Sequence, residues 1–388
     1  MTQTAANPDP PGSLDPRVIR VPGSLRVSAA ERLVSGPDRR RAAIQLVANA
    51  PAHGIDLDLL WGVPGTRGGG AFIRQVVMGV PAAGRTGMLF LSAPRAEHRF
   101  GTSGEQSGEL AACLAAANTG LPAISPKPVR VCQALIEPEH GWADRACRDA
   151  GMTWVGRLSF LRKPWPSPIV TQTPGGWPAH VSVERVNDPA DYRANGSGTA
   201  LQAALEGSYE DTLDCPELCG LRSTRDVIAS HMATGSFDPK RWWLLRVNGE
   251  PEGCCLLNHC PATSSVELVY LGISPRARGM GLGSRLFAHA LARLDVRGVR
   301  EITCAVDTRN EPALKLYHAH GFRAFSSRVG FVHVSPEQIV EVKQAQRQQA
   351  TAASGVEAKP RITQTASTES TPTGTSRGQE NLREPKRL

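Results

Sequence analysis

Aromatic residues make up only 5% of the 388 residues, and no apolar run reaches the ~18 residues that a membrane-spanning helix needs. The second absence excludes a helical membrane span. The first leaves the basic segments without the interleaved rings that stack on bases. The tails and the run DRRRAA (Asp38–Ala43) therefore do not read as a nucleic-acid surface. Cysteine occurs nine times, an odd number, with no C-x2-C pair. The nearest groupings are Cys215/Cys219 and Cys254/Cys255/Cys260 beside His259. Neither has zinc spacing, so free buried thiols in a reducing, cytoplasmic setting are expected and no metal is. The proline-rich Met1–Gly23 stretch lacks the apolar core of a secretory signal. There is no G-K-[ST] of a P-loop and no G-x-G-x-x-G of a dinucleotide fold.

What the chain does have is positive charge: a formal +8 and a pI near 9.2. Such a balance favours an anionic partner, whether nucleic acid, a membrane surface or a phosphorylated cofactor. Three compositional breaks divide the chain. Residues 1–24 read as a flexible tail. Residues 164–178 carry five prolines and a Gly-Gly pair, which suit a linker between folded units. Residues 344–388 are rich in Gln, Ser and Thr and poor in large apolar side chains, so they are expected to be disordered. Two lobes remain, 25–163 and 179–343.

The lobes share an order of elements. In the first, RRAAIQLVANAPAHG reads as a helix ending at Gly54. RQVVMGVPAAGRTGMLFLSAP reads as two strands about a glycine turn, and SGELAACLAAANTG as a helix stopped at Asn118-Thr119-Gly120. A strand, a short helix and a strand follow. The second lobe repeats the pattern, with NGE (Asn248–Glu250) as a hairpin turn. CRDAGMTWVGRLSF falls on YHAHGFRAFSSRVG at an offset of 170, which suggests an internal duplication.

One stretch joins charge to a local shape. VELVYLGI reads as a buried strand, and from Leu282 apolar residues recur on one helix face. Between them, SPRARGMGLGS places Arg276, Arg278, Gly279, Met280, Gly281, Gly283 and Ser284 at a strand-to-helix turn. Free amides at a helix N-terminus hold anions, glycine lets a phosphate approach the backbone, and arginine adds charge. The turn therefore reads as a cradle for a phosphate or diphosphate.

After strand EITCAV comes DTRNEPALKLYHAHGF, with Asn310 ahead of a helix that carries Tyr317 and ends at Gly321-Phe322. Together with RARGMGLG, this ordered pair of motifs resembles the GNAT superfamily of N-acetyltransferases over roughly residues 181–334. The resemblance implies an α/β mixed-sheet fold of two tandem GNAT-like acyl-CoA N-acyltransferase lobes, similar in architecture to the mycothiol synthases. It implies acetyl-CoA as acyl donor, held by Leu271 and Ile273 at the strand edge, by the amides of residues 278–284, and by Asn310. Tyr317 would protonate the leaving thiolate, and Glu267 would serve as general base. The first lobe keeps Arg95, Gly101 and Gly104 but has Cys147 and His140 at the places of Tyr317 and Asn310, so it is expected to be degenerate, a scaffold or a substrate wall.

The acceptor would be a small-molecule or peptide amine. Tyr209, Asp211 and Asp214 lie in an acidic segment that either attracts a cationic amine or caps helices. His231 reads as a surface helix residue, and Trp242 and Trp243 as core. A non-catalytic acyl-CoA-binding module is the alternative, against which a positioned acid argues, since binding alone needs none.

Overall fold

The computed structural model describes residues 15–95, 102–166 and 176–334. The expected C-terminal tail, most of the N-terminal tail and the middle of the expected linker lie outside these residues. Twelve strands form one sheet in the order β1-β2-β3-β4-β5-β12-β6-β11-β10-β9-β8-β7. In chain order they are β1 (Ile19–Arg20), β2 (Leu60–Arg67), β3 (Gly70–Ala82), β4 (Thr86–Leu91), β5 (Val131–Ile136), β6 (Thr153–Pro164), β7 (Val181–Arg185), β8 (Trp242–Val247), β9 (Glu250–Cys260), β10 (Ser265–Ile273), β11 (Glu301–Asp307) and β12 (Arg323–His333). Among the described residues the α-helices are α1 (Arg26–Leu33), α2 (Arg39–Asn49), α3 (Ser103–Ile124), α4 (Gly141–Asp149), α5 (Ser197–Tyr209), α6 (Thr224–Ala233), α7 (Leu282–Ala292) and α8 (Glu311–Ala319).

The duplication is visible in this order. Each half has antiparallel strands, one parallel pair (β4 with β5, β10 with β11), a short helix and a final strand. The 170-residue offset carries the bounds of α4 onto those of α8. The final strands are exchanged: β12 pairs with β5 of the first half, and β6 pairs with β11 of the second. Packing follows pairing. Phe331 of β12 lies in the core of the first half among Leu114, Leu121 and Trp61. Leu161 of β6 lies in the core of the second half among Leu286, Phe287 and Phe322. Phe331→Ala should therefore destabilise both halves together, by about 3–5 kcal/mol in a single denaturant transition. Two separate transitions would contradict the exchange.

Several local expectations change. Helix α3 runs through Asn118-Thr119-Gly120 and past Pro122. Gly120 packs so closely on the Trp61 indole that an added Cβ would meet the ring at 2.8 Å, and Leu121 is fully buried. Tertiary contact thus outweighs the stop signal. Part of the expected N-terminal tail is structured too: Ile19 and Arg20 pair with Gly62 and Trp61, and Val21 is buried. Trp165 and Trp177, at the edges of the linker, pack on the second core. The hairpin turn is as expected, with Asn248 and Gly249 both at positive φ, 53° and 84°.

Candidate active site

Strands β10 and β11 pair in parallel only from Ser265 to Glu267. A bulge between Leu268 and Tyr270 then shifts the register of β10 against β9. Beyond it, Leu271, Gly272 and Ile273 pair with β9 alone. A bulge re-aims side chains and ends pairing on one edge, and here the opened edge forms the wall of a cavity of about 630 Å³.

At one end of the cavity is the N-terminus of α7. Gly279 and Gly281 have φ of +75° and +70°, the left-handed region, and neither would clash with an added Cβ. Their role is conformational: they turn the chain so that the helix starts with its amides toward the cavity. No side chain caps the helix; its N-cap is Gly281 itself. The first four amides of any helix lack an internal partner, so the wall is a row of donors on the positive end of a dipole.

The predicted donor-side residues Leu271, Ile273, Arg278, Gly279, Gly281, Gly283, Ser284 and Asn310 all line this cavity, whereas Arg276 and Met280 do not. Arg276 pairs with Glu252 at 3.0 Å, and Glu252 accepts the Ser274 hydroxyl. Arg278 donates to four backbone carbonyls, those of Ile273, Ser208, Glu210 and Asp211. It ties the end of β10 to the loop after α5. Ser284 shares a 2.9 Å hydrogen bond with His320. Asn310 caps α8 by accepting the Ala313 amide at 3.2 Å.

Tyr317, on α8, reaches the inner wall of the cavity. Its ring is 6% exposed and packs edge-on against Phe287, with Phe322 alongside. Its hydroxyl has no hydrogen-bond partner among the described residues. Burial, with smaller contributions from Cys304, Asp214 and Cys255, pushes its pKa well up, so the phenol stays protonated.

The opposite wall is the acidic segment. Tyr209, Asp211 and Asp214 line the cavity together with Ser208, Thr212 and Tyr270. The Asp214 Oδ1 accepts the Asp307 amide at 2.7 Å. The residue is exposed on its cavity side, and its pKa is raised by partial desolvation and by the Asp307 carboxylate. Tyr270, which the sequence reading passed over, shares a 2.7 Å hydrogen bond with Ser208 and packs edge-on against Tyr209. His231 is not a surface residue: its ring lies 5.7 Å from that of Tyr270, and burial lowers its pKa to about 4. Trp242 and Trp243 are core, 0% and 5% exposed. Glu267 does not line the cavity. It lies on the paired part of β10, with its carboxylate beside the Cys260 thiol, and burial raises its pKa.

The first half braces this wall. Arg309 donates to both oxygens of Glu217 at 2.7 and 2.8 Å, to Asp307, and to the carbonyl of Val155 on β6. Its guanidinium lies 4.9 Å from the Trp154 ring centroid. Asp307 also accepts the Cys215 amide. An added Cβ at Gly156 of β6 would meet the Asp307 carboxylate at 2.5 Å, so the absent side chain is what admits this network.

The equivalent corner of the first half is built differently. Helix α3 starts with a capping box: Thr102 accepts the Glu105 amide, and the Glu105 carboxylate accepts the Thr102 amide. The Glu105 and Thr102 amides are thus occupied, and a carboxylate sits where α7 leaves space for an anion. Behind it, Gln75 bonds to Ser92 at 2.7 Å and to Gln106 at 3.2 Å, and Arg32 donates to Gln75 at 3.1 Å. Cys147 is fully buried in the core, its thiol pushed up to about 12.

Comparison with known proteins agrees with this geometry. The acetyltransferase (GNAT) family matches residues 205–322. A mycothiol acetyltransferase of Streptomyces bingchenggensis is 26% identical over 189 residues, 48% of this chain and 58% of that protein. One of Arthrobacter sp. is 34% identical over 116 residues, 27% of this chain and 34% of that protein. These matches span between a third and just over half of the relatives' length. The crystal structure of a GCN5-related N-acetyltransferase from Sphaerobacter thermophilus superposes with a TM-score of 0.51 at 17% identity, over 83% of this chain and 97% of that one. The chain is thus a mixed α/β protein whose fold is like that of the Sphaerobacter thermophilus N-acetyltransferase and whose residues 205–322 match the acetyltransferase (GNAT) family.

Proposed function

We propose that the second half binds acetyl-CoA and transfers its acetyl group to a primary amine by direct attack, with no covalent enzyme intermediate. The observation that carries this reading is the uncapped, glycine-turned N-terminus of α7 at the mouth of a cavity that reaches Tyr317. The amides of residues 279–284 would hold the diphosphate. The free edge of Leu271–Ile273 would hold the pantetheine arm in an extended form and polarise the thioester carbonyl through a backbone amide. The amine nitrogen attacks that carbonyl, the C–N bond forms and the C–S bond breaks. Tyr317 gives its proton to the departing sulfur, which an unaided thiolate would need from water. The GNAT domain match and the protonated, unpartnered Tyr317 phenol support this over a purely binding module.

The first half acts in this reading as the wall that fixes Asp307 and Arg309, and it takes no CoA of its own, because the Thr102–Glu105 box places a carboxylate at its helix N-terminus, which repels a diphosphate. One molecule of acetyl-CoA per chain is expected by equilibrium dialysis; two would contradict the assignment of roles to the halves. The activity test is thiol release from acetyl-CoA across a panel of amines. The name shared by the curated relatives places mycothiol-related amines in that panel. Thiol release that depends on one class of amine is the expected result; binding of acetyl-CoA with no release for any amine would favour the binding module.

A further inference from the structure

The acetyl-transfer reading leaves open which group receives the amine and takes its proton. We infer that Asp214 does both, and that the acceptor is a cationic amine with no carboxylate on the adjacent carbon. This rests on the reading above and deepens it.

Asp214 lines the cavity with Tyr317, Tyr209 and Tyr270. One carboxylate oxygen accepts the Asp307 amide, which fixes its direction; the other has no partner among the described residues. A carboxylate held at one oxygen and open at the other, flanked by aromatic rings, is a receptor for an ammonium group. The neighbouring charges point the same way. Asp307 lies directly behind Asp214, and its own charge is met by Arg309, which also serves Glu217. No arginine or lysine side chain is bonded to the Asp214 carboxylate among the described residues, so an incoming ammonium has no cation to displace. An α-carboxylate on the acceptor would meet Asp214 and Asp211 as like charges. Glu267, the base expected from the sequence, is turned to Cys260 and off the cavity wall.

The step balances. The bound ammonium gives one proton to solvent on the way to the neutral amine. As the C–N bond forms, a second N–H proton passes to the free oxygen of Asp214. The C–S bond breaks, Tyr317 protonates the sulfur, and the proton on Asp214 restores the phenol through the cavity. The products are the N-acetyl amine and CoA thiol.

Asp214→Asn separates this role from a structural one, because the amide oxygen can still accept the Asp307 amide. The measurement is the kcat and pH profile of wild type and variant with the best amine from a panel of amino acids, their amides, amino sugars and polyamines. Asp214 must be ionised to act, and partial desolvation raises its pKa from the ordinary aspartate value. Wild-type kcat should therefore fall as pH drops through that raised value. The titratable groups around Asp214 are Asp307, Arg309, Cys215 and the buried Cys304, with Tyr209, Asp211, Tyr270 and Tyr317 on the cavity wall. Arg309 stays charged, Asp307, though desolvated, is held low by Arg309, and the thiols and phenols are pushed up, so among the protein's groups this limb belongs to Asp214; the limb from the acceptor's own ammonium follows that amine's pKa and is common to both enzymes. The variant should lose about 30-fold in kcat and lose the Asp214 limb, with acetyl-CoA affinity unchanged. Wild type should prefer amino-acid amides over the parent acids at least tenfold, and the preference should collapse in the variant. A variant within threefold of wild type, or one that keeps that limb, overturns the inference alone and returns the base to Glu267. A wild type that acetylates no amine overturns the acetyl-transfer reading and the inference with it.

Discussion

Gly281→Asp is expected to weaken acetyl-CoA binding by about 100-fold, or 2.7 kcal/mol. Two effects act together. The carboxylate would be placed at the N-cap of α7, where aspartate accepts the second or third helix amide. It would thereby occupy the donors that the diphosphate needs and put a negative charge where two more must enter. The backbone adds a smaller cost, because Gly281 has φ +70° and a side chain there is strained. Gly281→Asn carries the same strain and the same capping ability without the charge, and should lose only about tenfold. Titration of both variants with acetyl-CoA checks this; equal losses would show that charge at the helix end is irrelevant.

Tyr317→Phe is expected to lower kcat by about 100-fold, at the lower end of what a positioned general acid contributes, and to leave the affinity for acetyl-CoA within about threefold of wild type. Phenylalanine keeps the ring that packs on Phe287 and Phe322, so the fold should not change. What is lost is the proton for the sulfur. The expected signature is specific: the deficit should shrink when the leaving thiol is made more acidic, because a better leaving group needs less protonation. A deficit that stays constant across thioesters of different thiol pKa would place Tyr317 in packing alone.

The glycine-turned end of the cavity, which the proposal gives to the acyl donor, was legible in the sequence because it is local. A strand, an R-x-x-G-x-G turn and an amphipathic helix are adjacent in the chain, and the turn glycines have one purpose that spacing reveals. The same holds for Asn310 and Tyr317, seven residues apart on one short helix. The acceptor side was less legible, because it is assembled from distant parts. Tyr270 looks like one more apolar residue of VELVYLGI until the bulge after Leu268 turns it toward Ser208. The same bulge separates Glu267 from the part of β10 that lines the cavity, and no pattern of alternation foretells a register shift. Arg309 and Val155 are 154 positions apart and meet only because β6 lies beside β11.

The exchange of final strands was hidden for the same reason. WVGRLSFL and SSRVGFV read correctly as strands, but a pattern with period two shows which residues share a face and not which neighbour the strand takes. The stop signal in α3 failed because Asn-Thr-Gly is only a local preference, worth about 1 kcal/mol at the glycine. The burial of Leu121 against Gly79 and Gly87, and of Gly120 against Trp61, outweighs it.

Calorimetric titration with acetyl-CoA, CoA and pantetheine tests the central claim most directly. If the N-terminus of α7 grips the diphosphate, acetyl-CoA and CoA should bind at one site per chain, and pantetheine, which lacks the diphosphate, should bind at least 100-fold more weakly. Equal affinity for pantetheine, or no heat with any of the three, would contradict the account.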